Sequence, residues 1–135
     1  MNDLMMWLKH LANINGINIV ITDELDENDT DISIPAANTI VINENYKTTV
    51  DVAFRLAHEL AHLIFGSNDQ NKVYGFSIFS NKESEKSANR NALKIITKFI
   101  YKDVPLEYRN WVRFMEEFGL PDHLEHMVKE EILNA

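Results

Sequence analysis

No cysteine occurs among the 135 residues of the chain, so a disulfide framework and a thiolate metal site are both excluded. Any bound metal must take its ligands from His, Asp or Glu. The absence also fits a reducing compartment. No run approaches the roughly 18 consecutive apolar residues of a membrane span. The first twenty residues lack a basic leader, carry Asp3, and are broken by Asn13, Asn15 and Asn18 before a signal-peptide core could form. The expected location is therefore the cytoplasm, with no membrane association. A basic stripe with interleaved aromatics is missing too. A formal net charge of −8 would repel a phosphate backbone, so direct nucleic-acid binding is not expected.

What is present has the balance of an ordinary globular protein, 45% hydrophobic and 25% charged. The length suits one self-folding domain over 1–135. Leu4, Trp7, Leu8 and Leu11 recur at helical spacing ahead of Gly16, which predicts a helix over 3–14. Ile17, Ile19 and Ile21 alternate with Asn18, Val20 and Thr22, the period-two pattern of a half-buried strand. Segment 23–31 holds six acidic side chains and only Leu25 as an apolar anchor, and reads as an exposed turn. It lacks the central Gly and terminal Glu of an EF-hand calcium loop. Short strands over 32–34 and 39–43 follow, separated by Pro35. Thr48 and Asp51 stand at capping-box spacing, and the apolar-rich run 52–65 ends at Gly66, bracketing a helix of about four turns. Ser80 and Glu83 repeat the spacing ahead of a helix over 82–101, before Pro105. Two shorter helices complete the chain, one carrying Trp111, Met115 and Phe118 and ending at Gly119, the other over 122–133.

Chemistry concentrates in the 52–65 helix. His58, Glu59 and His62 read H-E-x-x-H, and residues four apart lie one turn apart on one face, so both imidazoles can reach one zinc ion. Glu59 projects to the side, where it can act as general base without being a ligand. The apolar neighbours Ala53, Phe54, Leu56, Ala57, Leu60 and Ala61 predict a buried helix, and burying such a set without a cation is costly. His10, His123 and His126 belong to no complete ligand pattern. A catalytic zinc site generally takes three protein ligands, and the 82–101 helix offers two glutamates for the third place. Steps of three and four from Glu83 reach Lys86, Ser87, Arg90 and Lys94, a polar face. The same steps from Glu85 reach Ala88, Asn89, Ala92, Ile96 and Phe99, an apolar stripe broken only by Asn89. Glu85 is thus the candidate ligand, the alternative being a pairing with lysine or a helix cap. Asn89, one turn further on, is placed either to orient a ligand or to satisfy a backbone group. No oxyanion donor is assignable; Tyr46 and Tyr74 stand in flanking segments.

The segment Ala57-His58-Glu59-Leu60-Ala61-His62-Leu63-Ile64-Phe65-Gly66, followed by Glu85-Lys86-Ser87-Ala88-Asn89, resembles the ImmA/IrrE family of metallopeptidases. The resemblance covers roughly 16–100, and 114–128 looks like the family's paired tail helices. It implies zinc on His58, His62 and Glu85 with Glu59 as base. The departures, Asn91 and the Leu93-Lys94-Ile95-Ile96 ending, fall on no ligand and bear on the shape of the substrate cleft. Some relatives carry a helix-turn-helix domain for which there is no room here, so the implied substrate is a separately encoded helix-turn-helix repressor of a phage or mobile element. The expected fold is α+β, a small, mainly antiparallel sheet packed on the H-E-x-x-H helix with further helices at the C-terminus, similar to the minimal core of H-E-x-x-H zinc peptidases. Two other functions remain open: a zinc-containing module that regulates a repressor by docking, and a scaffold or toxin-antitoxin partner with an empty site. A purely structural site has no need of Glu59.

Overall fold

A computed structural model describes residues 2–66 and 70–135. Among them are five α-helices and a four-stranded mixed sheet. Helix α1 spans Asn2–Ile14. Leu4, Leu8 and Ala12 make its buried stripe, while Trp7 and Leu11 beside it stay half-exposed. Gly16, at a left-handed φ of 68°, turns the chain into β1, Asn18–Thr22. A hairpin follows, β2 (Ile32–Ile34) and β3 (Thr39–Asn43), joined by a 3-10 turn that starts at Pro35.

The sheet order is β1-β3-β2-β4, with β4 only Tyr74–Gly75. The β2–β3 and β2–β4 pairings are antiparallel, but β1 pairs with β3 in parallel along its whole length. The sheet is therefore mixed rather than mainly antiparallel. The acidic segment 23–31 sets this direction by folding back against the end of β3. Asn43 Nδ2 donates to the carbonyls of Asp26 and Asp29, and Asn45 Nδ2 donates to those of Asp23 and Leu25. Two features depart from the expected pattern. β1 is an edge strand, with Val20 and Ile21 both exposed. Asp31 closes the acidic turn from a position with 0% exposure.

Helix α2, Val52–Phe65, runs through the core, with Ala53, Phe54, Leu56, Ala57 and Leu60 fully buried. Its N-cap is Asp51, whose side chain accepts from the Ala53 N–H at 2.9 Å. Thr48 instead accepts from the Val50 N–H, so the pair does not form a capping box. Gly66 closes the helix where any Cβ would stand 2.3 Å from the His62 carbonyl oxygen. Helix α3, Glu83–Tyr101, starts at Lys82 with no side-chain cap; Ser80 only accepts from the Lys82 N–H. It packs along α2, which also touches α1, β2 and β3. Helix α5, Glu125–Asn134, packs on α3, and α4, Trp111–Phe118, packs on α5, with Asp122–Leu124 a separate 3-10 turn. Between them Gly119 takes a φ of 64°, and a Cβ there would lie 1.8 Å from the Thr49 carbonyl oxygen, so the tail docks on the entry to α2. No helix among the described residues is long and apolar enough to cross a membrane.

Candidate metal centre

The i, i+4 spacing on α2 brings His58 and His62 to one point, Nε2 to Nε2 3.2 Å apart. Glu85, in the first turn of α3, reaches both rings, with Oε1 3.1 Å from His58 Nε2 and Oε2 2.9 Å from His62 Nε2. All three side chains are buried, and they form the one group of metal-capable residues among those described. Glu83, two positions earlier, is exposed. Asn89 lies one turn beyond Glu85 and its Oδ1 accepts from His58 Nδ1 at 2.8 Å. Aromatic rings fix the imidazoles from outside: Tyr74 stacks on His62 at 4.2 Å, and Phe76 meets His58 edge-on at 4.9 Å. Neither contact was legible in the sequence, because β4 is too short to show a period.

The proton inventory of this cluster asks for a cation. Burial pushes His58 below its ordinary 6.5, favouring the neutral ring. Its single proton sits on Nδ1, committed to Asn89, so the Nε2 lone pair faces the Glu85 carboxylate. Burial also opposes ionisation of Glu85, and its carboxyl is held down at about 2 only where both imidazoles donate to it. A neutral His58 ring has one proton for two acceptors, Asn89 Oδ1 at Nδ1 and Glu85 Oε1 at Nε2. A dication removes the conflict. Ligand atoms about 2.0–2.1 Å from a tetrahedral ion stand about 3.3–3.4 Å apart, close to the 3.2, 3.1 and 2.9 Å found here. The donor set of two imidazoles and a carboxylate, with no sulfur, fits such an ion.

Glu59 lies on the β2 side of α2 with 0% exposure. Neither of its carboxylate oxygens has a hydrogen-bond partner, and Ser33 Oγ of β2 has none either. Burial pushes its carboxyl well above the ordinary 4.5; the nearby Ser33 hydroxyl opposes this, and the charges of Asp31 and Glu85 add to it. One turn earlier Arg55 is buried as well and pairs with Asp31 at 3.1 Å. Nothing in the apolar pattern of the helix singles out this pair, although a lone arginine amid such neighbours needs a carboxylate. Asp31 Oδ1 also accepts from the Asn43 N–H at 2.8 Å, and its carbonyl accepts from the Phe76 N–H at 2.8 Å. The pair thus ties α2 to β2, β3 and the residue that packs on His58.

Two adjoining clefts open on the cluster. One, of about 550 Å³, is lined by Glu85 and the other, of about 330 Å³, by His62; Lys72, Tyr74 and Ser84 border both. Tyr46 is elsewhere, under the Arg55 guanidinium at 5.4 Å. His10, His123 and His126 lie outside the cluster, His123 contacting the Ile78 carbonyl.

The model of the IrrE N-terminal-like domain family matches residues 12–123, a span that holds the whole of α2, α3 and the sheet. No curated protein and no solved structure matches the chain. With most of its length matched by that model, the chain belongs to the ImmA/IrrE family of metallopeptidases.

Proposed function

We propose that the chain is a cytoplasmic zinc-dependent endopeptidase that cleaves a separately encoded helix-turn-helix repressor. The observation that carries this reading is the convergence of His58, His62 and Glu85 within 4.8 Å of one another, beside a buried carboxylate that has no partner of its own. Zinc held by these three residues would polarise the scissile carbonyl and acidify the attacking water. Glu59 accepts the proton of that water and returns it to the leaving amine. Asn89 keeps the His58 Nε2 lone pair directed at the cluster, and Tyr74 holds the His62 ring in plane. β4 pairs only with β2 among the described residues, so its other edge is open to an extended peptide that would pass over the clefts.

Three substitutions grade the ligand roles. The wild type is expected to bind about one zinc per chain by elemental analysis after mild dialysis. Asn89→Ala should weaken zinc by about 10–100-fold, the usual cost of losing an orienting partner. Glu85→Gln should weaken it further than Asn89→Ala does, since a ligand is lost. Glu83→Gln, on the exposed side of the same turn, should leave affinity unchanged. Competition with a chromophoric chelator reads all three. Equal affinity in Glu85→Gln and Glu83→Gln would remove Glu85 from the site, and a wild type that takes no zinc under any reconstitution would end the metallopeptidase reading.

A further inference from the structure

A second concavity, of about 520 Å³, lies between α1 and α3 over the end of α2. Trp7 and Leu11 form one wall, Ile95 and Phe99 the other, and Ile64 and Phe65 the floor. Trp7 and Phe99 stack across it at 6.0 Å, and Phe65 remains 58% exposed. Ile14, one turn beyond Leu11 and 61% exposed, carries the apolar stripe of α1 onward. The charged lining residues are Lys98 and Lys102, and neither has an ion-pair partner among the described residues. In a chain of net charge −8 this is a local cationic exception. Phe65 also lines the cleft that holds His62, so the groove adjoins the metal centre.

The form of the occupant follows from what the walls lack. Both are helices whose backbone groups are already paired, so an extended peptide lying there would bury N–H and C=O groups without partners. A helix satisfies its own backbone and presents only side chains. Lys102, the C-cap of α3, keeps a helical conformation four residues after Lys98, so the two stand one turn apart on the groove rim. We infer that this groove is a docking site for an amphipathic helix of a partner protein, one with an apolar face flanked by two carboxylates a turn apart. The inference stands on the groove and does not require hydrolysis.

A panel of 16-residue helical peptides sharing one Leu/Phe face, with paired Glu, paired Gln or paired Lys on its flank, tests the inference. The readout is Trp7 fluorescence in the full chain carrying Trp111→Phe, at physiological salt, where charges beyond about 8 Å are screened and the rim lysines dominate. Affinity is expected to fall in the order Glu, Gln, Lys, with a spread of about fivefold to thirtyfold for two rim pairs. Lys98→Glu with Lys102→Glu, both surface changes, should invert that order. Absence of binding by every peptide overturns the inference, and so does binding indifferent to the charge reversal. Concentration-dependent self-association that shifts Trp7 and disappears in Phe65→Ser would assign the groove to a second copy of the chain instead.

Discussion

Glu59→Gln is expected to keep both fold and zinc while lowering peptide hydrolysis by about a hundredfold to ten-thousandfold, the usual loss on removing a general base. The substitution nearly preserves shape, and the Ser33 hydroxyl beside the Glu59 carboxyl can serve a glutamine amide as well. It also lies outside the cluster of His58, His62 and Glu85. Burial pushes the Glu59 carboxyl upward, opposed by the Ser33 hydroxyl and aided by the negative charges of Asp31 and Glu85. A dication at the neighbouring cluster acts in the opposite sense and favours the carboxylate that a base must be. In the zinc-free chain glutamine should therefore be no worse tolerated than glutamate, and its thermal midpoint should equal or exceed that of the zinc-free wild type. A gel assay with a co-encoded helix-turn-helix repressor reads the rate, and elemental analysis of the same preparation reads the metal. Cleavage by the wild type and an intact band with the zinc-loaded variant would establish Glu59 as the base. If both proteins relieve repression equally and neither cuts, the non-hydrolytic docking module replaces the enzyme reading.

The helices were legible because each carries its own signal. The apolar run of α2 and its closing Gly66 define that element within the chain itself, and the stripe from Glu85 through Ala88, Ala92 and Ile96 separates the buried glutamate of α3 from exposed Glu83. A local period needs no knowledge of distant partners. The sheet is different. Which strand lies beside β1 depends on Asn43 and Asn45 binding carbonyls of a loop some 14 to 22 residues earlier, and no alternation pattern encodes that choice. β4, two residues long, is defined by its pairing with β2 rather than by its composition. The site divides along the same line. His58, Glu59 and His62 sit on one helix with a diagnostic spacing, whereas Tyr74, Phe76 and Asp31 reach the site through the sheet. The cap of α2 shows a smaller version of the problem: Thr48 and Asp51 have capping-box spacing, yet Asp51 alone bonds into the first turn, since helix entry depends on where the backbone turns.

The largest stability loss is expected from Arg55→Met. Asp31 and Arg55 have side-chain exposures of 0% and 7% and meet at 3.1 Å, so each offsets the desolvation of the other. Methionine fills most of the arginine volume but leaves Asp31 buried opposite nothing cationic, with Glu59 nearby. Breaking such a pair from one side costs about 3–5 kcal/mol, a large share of the roughly 5–15 kcal/mol that holds a domain together. The loss should also depend on pH with a definite sign. Burial raises the Asp31 carboxyl above its ordinary 3.8 even though Arg55 works in the opposite direction, and removal of Arg55 raises it further. A group whose folded pKa lies above its unfolded one stabilises the fold in acid and loses that contribution as pH rises. The deficit of Arg55→Met should therefore be least near 3.8 and grow with pH until the raised folded value is passed. Adding Asp31→Asn should recover much of it, because the amide oxygen can still accept from the Asn43 N–H without burying a charge. Urea unfolding of both variants across pH reads these differences. Looser packing of Phe76 on His58 should accompany the single change, since the Asp31 carbonyl anchors the Phe76 N–H. A loss under about 1 kcal/mol, flat in pH and unchanged in the double variant, would show that the pair does not clamp α2 to the sheet, and the geometry of the His58, His62 and Glu85 cluster would then have to rest on apolar packing alone.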